Sequence, residues 1–251
     1  MTSFRLPLVG TLALLSLGCF QRPMTPPTTP GVMSSAATLS DDQAAVAITG
    51  GMHGAVFGPA LGAIDGRLRL GLRDDLELVV NGGAYIVLED SVADEHRGIY
   101  TGRAGLKYRL QRHVAMIAGV GGGLSPTAGV FAGADFGFIF AYENPYCIPF
   151  VALRGFYNIP IRPSGVDVGI PGTDEPGDIV VRPADTLGGT LEFGVRAPVG
   201  REDRFNLLLS GMFTALYDGR GGVIEEHNTL WLGGFMTGFE ARFGAAEELP
   251  N

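Results

Sequence analysis

Between Gly66 and Leu88 the chain reads GRLRLGLRDDLELVVNGGAYIVL. Leu68, Leu70 and Leu72 alternate with Arg67, Arg69 and Gly71. After the turn Arg73-Asp74-Asp75 the alternation resumes through Leu76, Leu78, Val80, Gly82, Ala84, Ile86 and Leu88. Period 2 on both sides of a short polar turn predicts a β-hairpin. Each arm is about ten residues or longer, against the usual five or six. Long alternating strands repeated down a chain predict a membrane-spanning β-barrel.

The same reading gives ten strands, at about 44–57, 61–72, 76–88, 98–109, 114–124, 128–141, 146–157, 184–197, 204–217 and 227–243. Gly50, Gly51 and Gly54 weaken the first, so eight strands is the fallback. The links at 73–75, 110–113, 142–145 and 198–203 are mostly short, and those at 89–97, 158–183 and 218–226 are longer. Brief links near 58–60 and 125–127 are exceptions on the long side. Alternating short and long links are expected of an up-and-down barrel with periplasmic turns and extracellular loops. With an even strand number both barrel termini fall on the periplasmic side.

The two faces of each strand differ. Tyr100 and Tyr108 bracket an apolar face with Gly102, Ala104 and Leu106 between them. Eight residues at ~3.3 Å each, tilted about 40°, span about 20 Å of depth. Phe205 to Tyr217 and Trp231 to Phe243 repeat the device over twelve residues. Aromatics at both ends of an apolar face mark a membrane interface. The opposite faces carry Arg67, Arg69, Glu77, Arg103, Lys107, Arg109, Asp135, Glu192, Arg196, Glu240 and Arg242. Charges near the bilayer midplane would cost several kcal/mol on the lipid side, so these are expected in the lumen. There they form a structural salt-bridge network or, in a sharper reading, an anion-selective constriction. Arg154 breaks the pattern by sharing a face with Ile148, Phe150 and Phe156, and a bulge near Pro149 is the expected cause.

Composition adjusts this picture. Of 251 residues, 39 are Gly, about twice the usual ~7%, which suits crowded barrel interiors and close strand approach. Formal net charge is −8, and no basic cluster occurs, so nucleic acid is not expected as a partner. No apolar run after residue 19 approaches the ~20 residues of a membrane helix. Mean hydropathy is +0.23.

The N-terminus has the pattern of an export signal: Arg5, then the apolar Leu6 to Leu17,. Ser16-Leu17-Gly18-Cys19 resembles a bacterial lipobox, which implies a signal peptide over 1–18 and lipid attachment at Cys19. Phe20 rather than Asp after the Cys implies outer-membrane sorting. The alternative is ordinary cleavage near Ala36-Ala37, with Cys19 discarded. Residues 19–42, rich in Pro, Thr and Ser, read as an extended tether without a core. It would begin on the periplasmic side, where an inner-leaflet anchor would hold it. Cys147 is then alone, expected as a small buried hydrophobe.

Units such as LRLGLRDDLELVV (68–80), AGLKYRLQRHVAMIAG (104–119) and LEFGVRAPVGREDRFNLLLSG (191–211) resemble bacterial outer-membrane β-barrel proteins. The resemblance covers about residues 44–243. It implies an all-β, closed antiparallel barrel over 43–244, outer-membrane lipids as surroundings, and the barrel-assembly machinery as a partner in biogenesis. Phe239, Ala241 and Phe243 resemble the terminal aromatic signal read by that machinery, although the tail 245–251 follows.

The expected function is non-enzymatic: a structural barrel or narrow pore with a charged, largely filled lumen. Two alternatives remain. A lipid-tethered, soluble, lipocalin-like ligand binder shares the alternation. An outer-membrane lipid-modifying enzyme would need His with Ser or Asp near the outer rim. His96 and His227, and less clearly His53, fall near that rim, whereas His113 falls in a periplasmic turn. No Ser lies in a nucleophile motif, and no cofactor or metal site is expected. The acidic residues of 158–183 (Asp167, Asp174, Glu175 and Asp178) lack calcium-loop spacing. This longest link is the place where an extracellular partner could bind.

Overall fold

The computed structural model describes residues 25–55, 60–88, 98–125, 129–163, 166–168, 179–181, 185–199, 204–218 and 229–244. Among these described residues twelve strands follow one another: β1 (Ala44–Ala55), β2 (Ala60–Arg73), β3 (Leu76–Val87), β4 (Gly98–Gln111), β5 (Val114–Ser125), β6 (Gly129–Ala141), β7 (Ile148–Arg162), β8 (Val166–Val168), β9 (Ile179–Val181), β10 (Thr186–Val199), β11 (Phe205–Asp218) and β12 (Thr229–Phe243). Ten of them close a barrel in the order β1-β12-β11-β10-β7-β6-β5-β4-β3-β2. Every pairing is antiparallel. Closure by β1 against β12 pairs Ala44 with Phe243 and leaves the barrel sheet without a free edge,. The fold is therefore all-β with ten barrel strands, and the eight-strand fallback does not apply.

The extra pair β8 and β9 forms a small two-stranded sheet within the link read as a plain acidic loop. Asp174, Glu175 and Asp178 lie outside the described residues, as do the tail 245–251, His96 and His227.

Inside and outside follow from the period of two. In β7 the burial alternates without interruption from Ile148 to Ile159. Pairing with β10 is continuous, and the only shift against β6 lies between Val130 and Phe131. There is thus no bulge near Pro149. Arg154 simply points inward with Ile148, Phe150, Ala152 and Phe156, all buried. The expectation failed because the lumen is a mixed core: apolar Ile117, Ile139, Leu208, Met212 and Met236 are buried beside the charges. Gly188 shows how inward bulk is accommodated: an added Cβ would strike the ring of Phe156.

Cys147 is exposed, not a buried hydrophobe. It stands one residue before β7, in a turn closed by Asn144, whose Oδ1 accepts from the N–H groups of Tyr146 and Cys147 at 3.0 Å each.

Two ends of the barrel are distinguishable. Links 74–75, 112–113 and 142–147 define a short-turn end, where β1 begins and β12 finishes. The link between β7 and β10, with its small hairpin, lies at the opposite, long-loop end.

The segment before β1 is the main departure from expectation. The sequence pattern presents residues 25–40 as part of a tether without a core. Instead Thr25, Thr28, Thr29, Met33, Ser34, Ser35, Ala36 and Leu39 are buried, none above 5% exposed. This strap lies inside the barrel. Thr25 N–H donates to Thr186 Oγ1 (3.3 Å), at the long-loop end. Thr38 Oγ1 donates to the carbonyl of Asp74, in a short turn. The strap therefore begins at the end opposite the one where β1 starts, contrary to a tether rising from the short-turn side.

Candidate functional site

The candidate site is the lumen with its strap. Small side chains and three prolines make Thr25–Ser40 thin and poor in donors while leaving every carbonyl available,. The walls supply the donors. Asn158 Nδ2 donates to the Pro26 carbonyl (2.8 Å) and Tyr85 Oη to that of Pro27 (3.1 Å). Deeper, Arg154 Nη2 donates to Thr29 O (2.8 Å), and Arg67 donates to Met33 O (3.1 Å) and Gly31 O (3.4 Å). Near the short turns Lys107 Nζ donates to Ala37 O (2.5 Å) and Ser34 Oγ (3.2 Å), and Arg196 donates to Ser35 Oγ (3.2 Å).

Carboxylates hold the strap's own N–H groups. Glu192 accepts from Val32 (2.6 Å) and Met33 (3.0 Å), two successive amides turned to one side. Met33 has φ 39°, in the left-handed region that a non-glycine residue enters only when its surroundings demand it,. Successive N–H groups of this kind form an anion-binding concavity, here filled by a wall side chain. Glu77 Oε2 accepts from Leu39 N–H (3.1 Å), and Glu143 Oε1 from Ala37 N–H (3.0 Å).

The remaining charges pair across the walls. Arg69 donates to Glu77 (Nη2–Oε2, 2.8 Å) and Glu240 (Nη1–Oε2, 2.8 Å). Lys107 lies 3.3 Å from Glu77, and Arg196 3.6 Å from Glu240. Arg103 grips Asp135 through two contacts of 2.6 Å. Asp65 takes Nδ2 of Asn81 (3.0 Å) and lies 4.0 Å from Arg67. Among the described residues six buried cations, Arg67, Arg69, Arg103, Lys107, Arg154 and Arg196, face five buried carboxylates. The strap's carbonyls take up that excess. Arg242, which is only part-buried, reaches Glu240 at 3.3 Å, and Arg109 is half-buried near the same rim. A void of about 30 Å³ remains between strap and wall, bounded by Thr29, Val32, Arg67, Arg103 and Arg154. That is room for one or two waters.

The outer surface is the reverse. Tyr100, Phe205, Tyr217, Trp231 and Phe243 are between 45% and 62% exposed, and Tyr108 is half-buried. Leu106, Val120, Leu153, Leu191, Leu209 and Phe235 are exposed between the two ends.

Asp65, Asn81, Tyr85, Glu143, Arg154, Asn158 and the whole strap were missed by sequence reasoning. One signal was present: lumen-facing cations outnumber acids. His53 is buried in the lumen toward the long-loop end, its ring 6.1 Å from that of Tyr85. His113 lies at the short-turn end, stacked on Tyr142.

No protein-family model and no curated protein matches the sequence. Among solved structures, the N-terminal β-barrel domain of Pseudomonas aeruginosa OprF is similar at 14% identity, covering 80% of this chain and 99% of that one, with a TM-score of 0.36. Neisserial surface protein A is similar at 14% identity over 81% and 98%, with a TM-score of 0.36. An outer membrane channel from Pseudomonas putida F1 is similar at 12% identity over 83% and 98%, with a TM-score of 0.38.

Proposed function

We propose that this protein is a non-enzymatic outer-membrane β-barrel whose lumen is closed by its own N-terminal segment. The observation that carries this reading is the inversion of the barrel. Large apolar side chains are exposed around the outside while charges are buried within. In water such a surface would be a large aggregation-prone patch; in a bilayer it is the expected lipid face. A soluble ligand-binding barrel needs the opposite arrangement and an open interior. The short-turn end faces the periplasm and the long-loop end faces outward. Tyr108, Phe205 and Phe243 form the inner aromatic girdle, and Tyr100, Tyr217 and Trp231 the outer one.

The lumen charges act as structure. They are spent on one another and on the strap, which supports a sealed barrel over an anion-selective constriction. The protein's surroundings are outer-membrane lipids, and the assembly machinery is its partner during insertion. An extracellular partner at 158–183 is a further proposal, for which β8 and β9 offer a small ordered sheet at the long-loop end.

The test is cell fractionation followed by gel mobility with and without boiling. Heat-modifiable mobility in the outer-membrane fraction is expected. Extraction by carbonate without detergent, with no mobility shift, would refute the membrane reading.

A further inference from the structure

We infer that the strap carries the mature N-terminus through the barrel and displays it at the long-loop face. This rests on the orientation proposed above, in which that face looks outward. The direction of the strap is set by its partners in order. Thr25 meets Thr186 and Pro26 meets Asn158, both near the long loops. Thr29 meets Arg154 and Met33 meets Glu192, at mid-height. Ala37 meets Lys107 and Leu39 meets Glu77, near the short turns. Ser40 then turns the chain into β1, with the N–H of Gln43 donating to its carbonyl at 3.0 Å. The chain passes the whole lumen once before the first strand climbs back.

The reach of the preceding residues limits where Cys19 can go. Cys19 lies six positions before Thr25, at most about 20 Å of extended chain. Barrel strands of 12 to 15 residues at ~3.3 Å and about 40° tilt make a wall roughly 30 Å or more in height. Cys19 cannot return to the short-turn face. Ten strands ~4.8 Å apart with that tilt give a radius of about 10 Å. The outer rim is within that reach, whereas the short-turn face is not. A lipid on Cys19 would then anchor at the long-loop face and not in the inner leaflet.

The strap also bears on cleavage. Removal of residues up to 36 or 37 would discard the partners of Arg154, Arg67 and Glu192 and leave three buried charges without them. The lumen thus favours retention of residues 25–36. The filled lumen leaves no path for later threading, so β1 to β12 must close around the strap during insertion.

The experiment uses Cys147, exposed in a short turn, as the built-in reporter of the opposite face. Cells carrying the full-length protein or Met24→Cys are treated with a membrane-impermeant maleimide before and after lysis. Mass spectrometry of the purified protein reads both positions and the mature N-terminus. The expected result is labelling at residue 24 in intact cells, labelling of Cys147 only after lysis, and a mature chain that retains residues 25–36. Protection of both positions until lysis overturns the display. A mature chain starting after residue 36 overturns it too. Labelling of Cys147 in intact cells with residue 24 protected overturns the outward orientation of the long loops, and the display with it.

Discussion

Glu192→Gln isolates the grip on the strap. The Glu192 carboxylate accepts two N–H groups, from Val32 at 2.6 Å and Met33 at 3.0 Å. Hydrogen bonds to a charged group contribute about 1.5–3 kcal/mol each. Glutamine keeps the shape, but it offers one oxygen and turns an NH2 group toward the second amide. One bond is lost and the other becomes neutral, a net loss of about 2–3 kcal/mol. The left-handed turn at Met33 (φ 39°) loses its support at the same time. If the strap opens locally, its amide exchange accelerates by roughly 30- to 150-fold, since each 1.4 kcal/mol is tenfold. Hydrogen exchange by mass spectrometry, in detergent micelles or nanodiscs, reads peptides covering 29–40 against peptides of β11. Unchanged exchange in the strap would refute the reasoning. An equal rise in β11 would also refute it, because Glu192 would then support the wall and not the strap.

Other outcomes follow from the same geometry. Deleting residues 25–38 is expected to convert a barrel silent in planar bilayers into a conducting one, with a modest anion preference from six buried cations against five acids; silence in a heat-modifiable deletion variant would refute the sealing role. Glu240→Gln breaks the node joining Arg69, Arg196 and Arg242, and removing one partner of a buried ion network costs about 3–5 kcal/mol, read as a lower urea midpoint by gel shift. Leu209→Arg, on the outer face of β11 at 59% exposure, costs about 2–4 kcal/mol in liposomes if it sits near the bilayer midplane; a neutral effect would argue against lipid contact. Gly119→Val drives a side chain into the Arg103 guanidinium, which already lies 2.5 Å from where a Cβ would sit, and overpacking of this kind costs about 1–3 kcal/mol, measured by the same midpoint.

The strands were legible in the sequence because a β-barrel writes itself locally. Period 2 says which residues share a face, and burial of charge says which face turns inward. Arg67, Arg69, Glu77, Arg103, Lys107, Asp135, Glu192, Arg196 and Glu240 could be placed on the inner face from that logic, and the structure has them buried there. Strand bounds follow the sequence pattern to within a few residues for the same reason; β7 runs on to Arg162, past the expected end at 157, its inside–outside alternation unbroken as far as Ile159. Arg154 was misread because an inner face was assumed to be polar, whereas barrel interiors are packed with whatever fills them.

The strap is different. Thr25–Ser40 has no period and little apolar bulk, so by itself it looks like solvated linker. Its burial depends on donors from β2, β3, β4, β7 and β10, residues more than thirty to more than a hundred positions away. Those donors converge only once the ten strands close, and only then do their excess positive charges require carbonyls in the lumen. The sequence alone carried a barrel of ten strands, with eight left open, its greasy outside and its charged inside, because each is a property of neighbours along one strand. Tertiary structure decided what fills the lumen and at which end the chain enters it, because both depend on groups that meet only when the sheet is a cylinder.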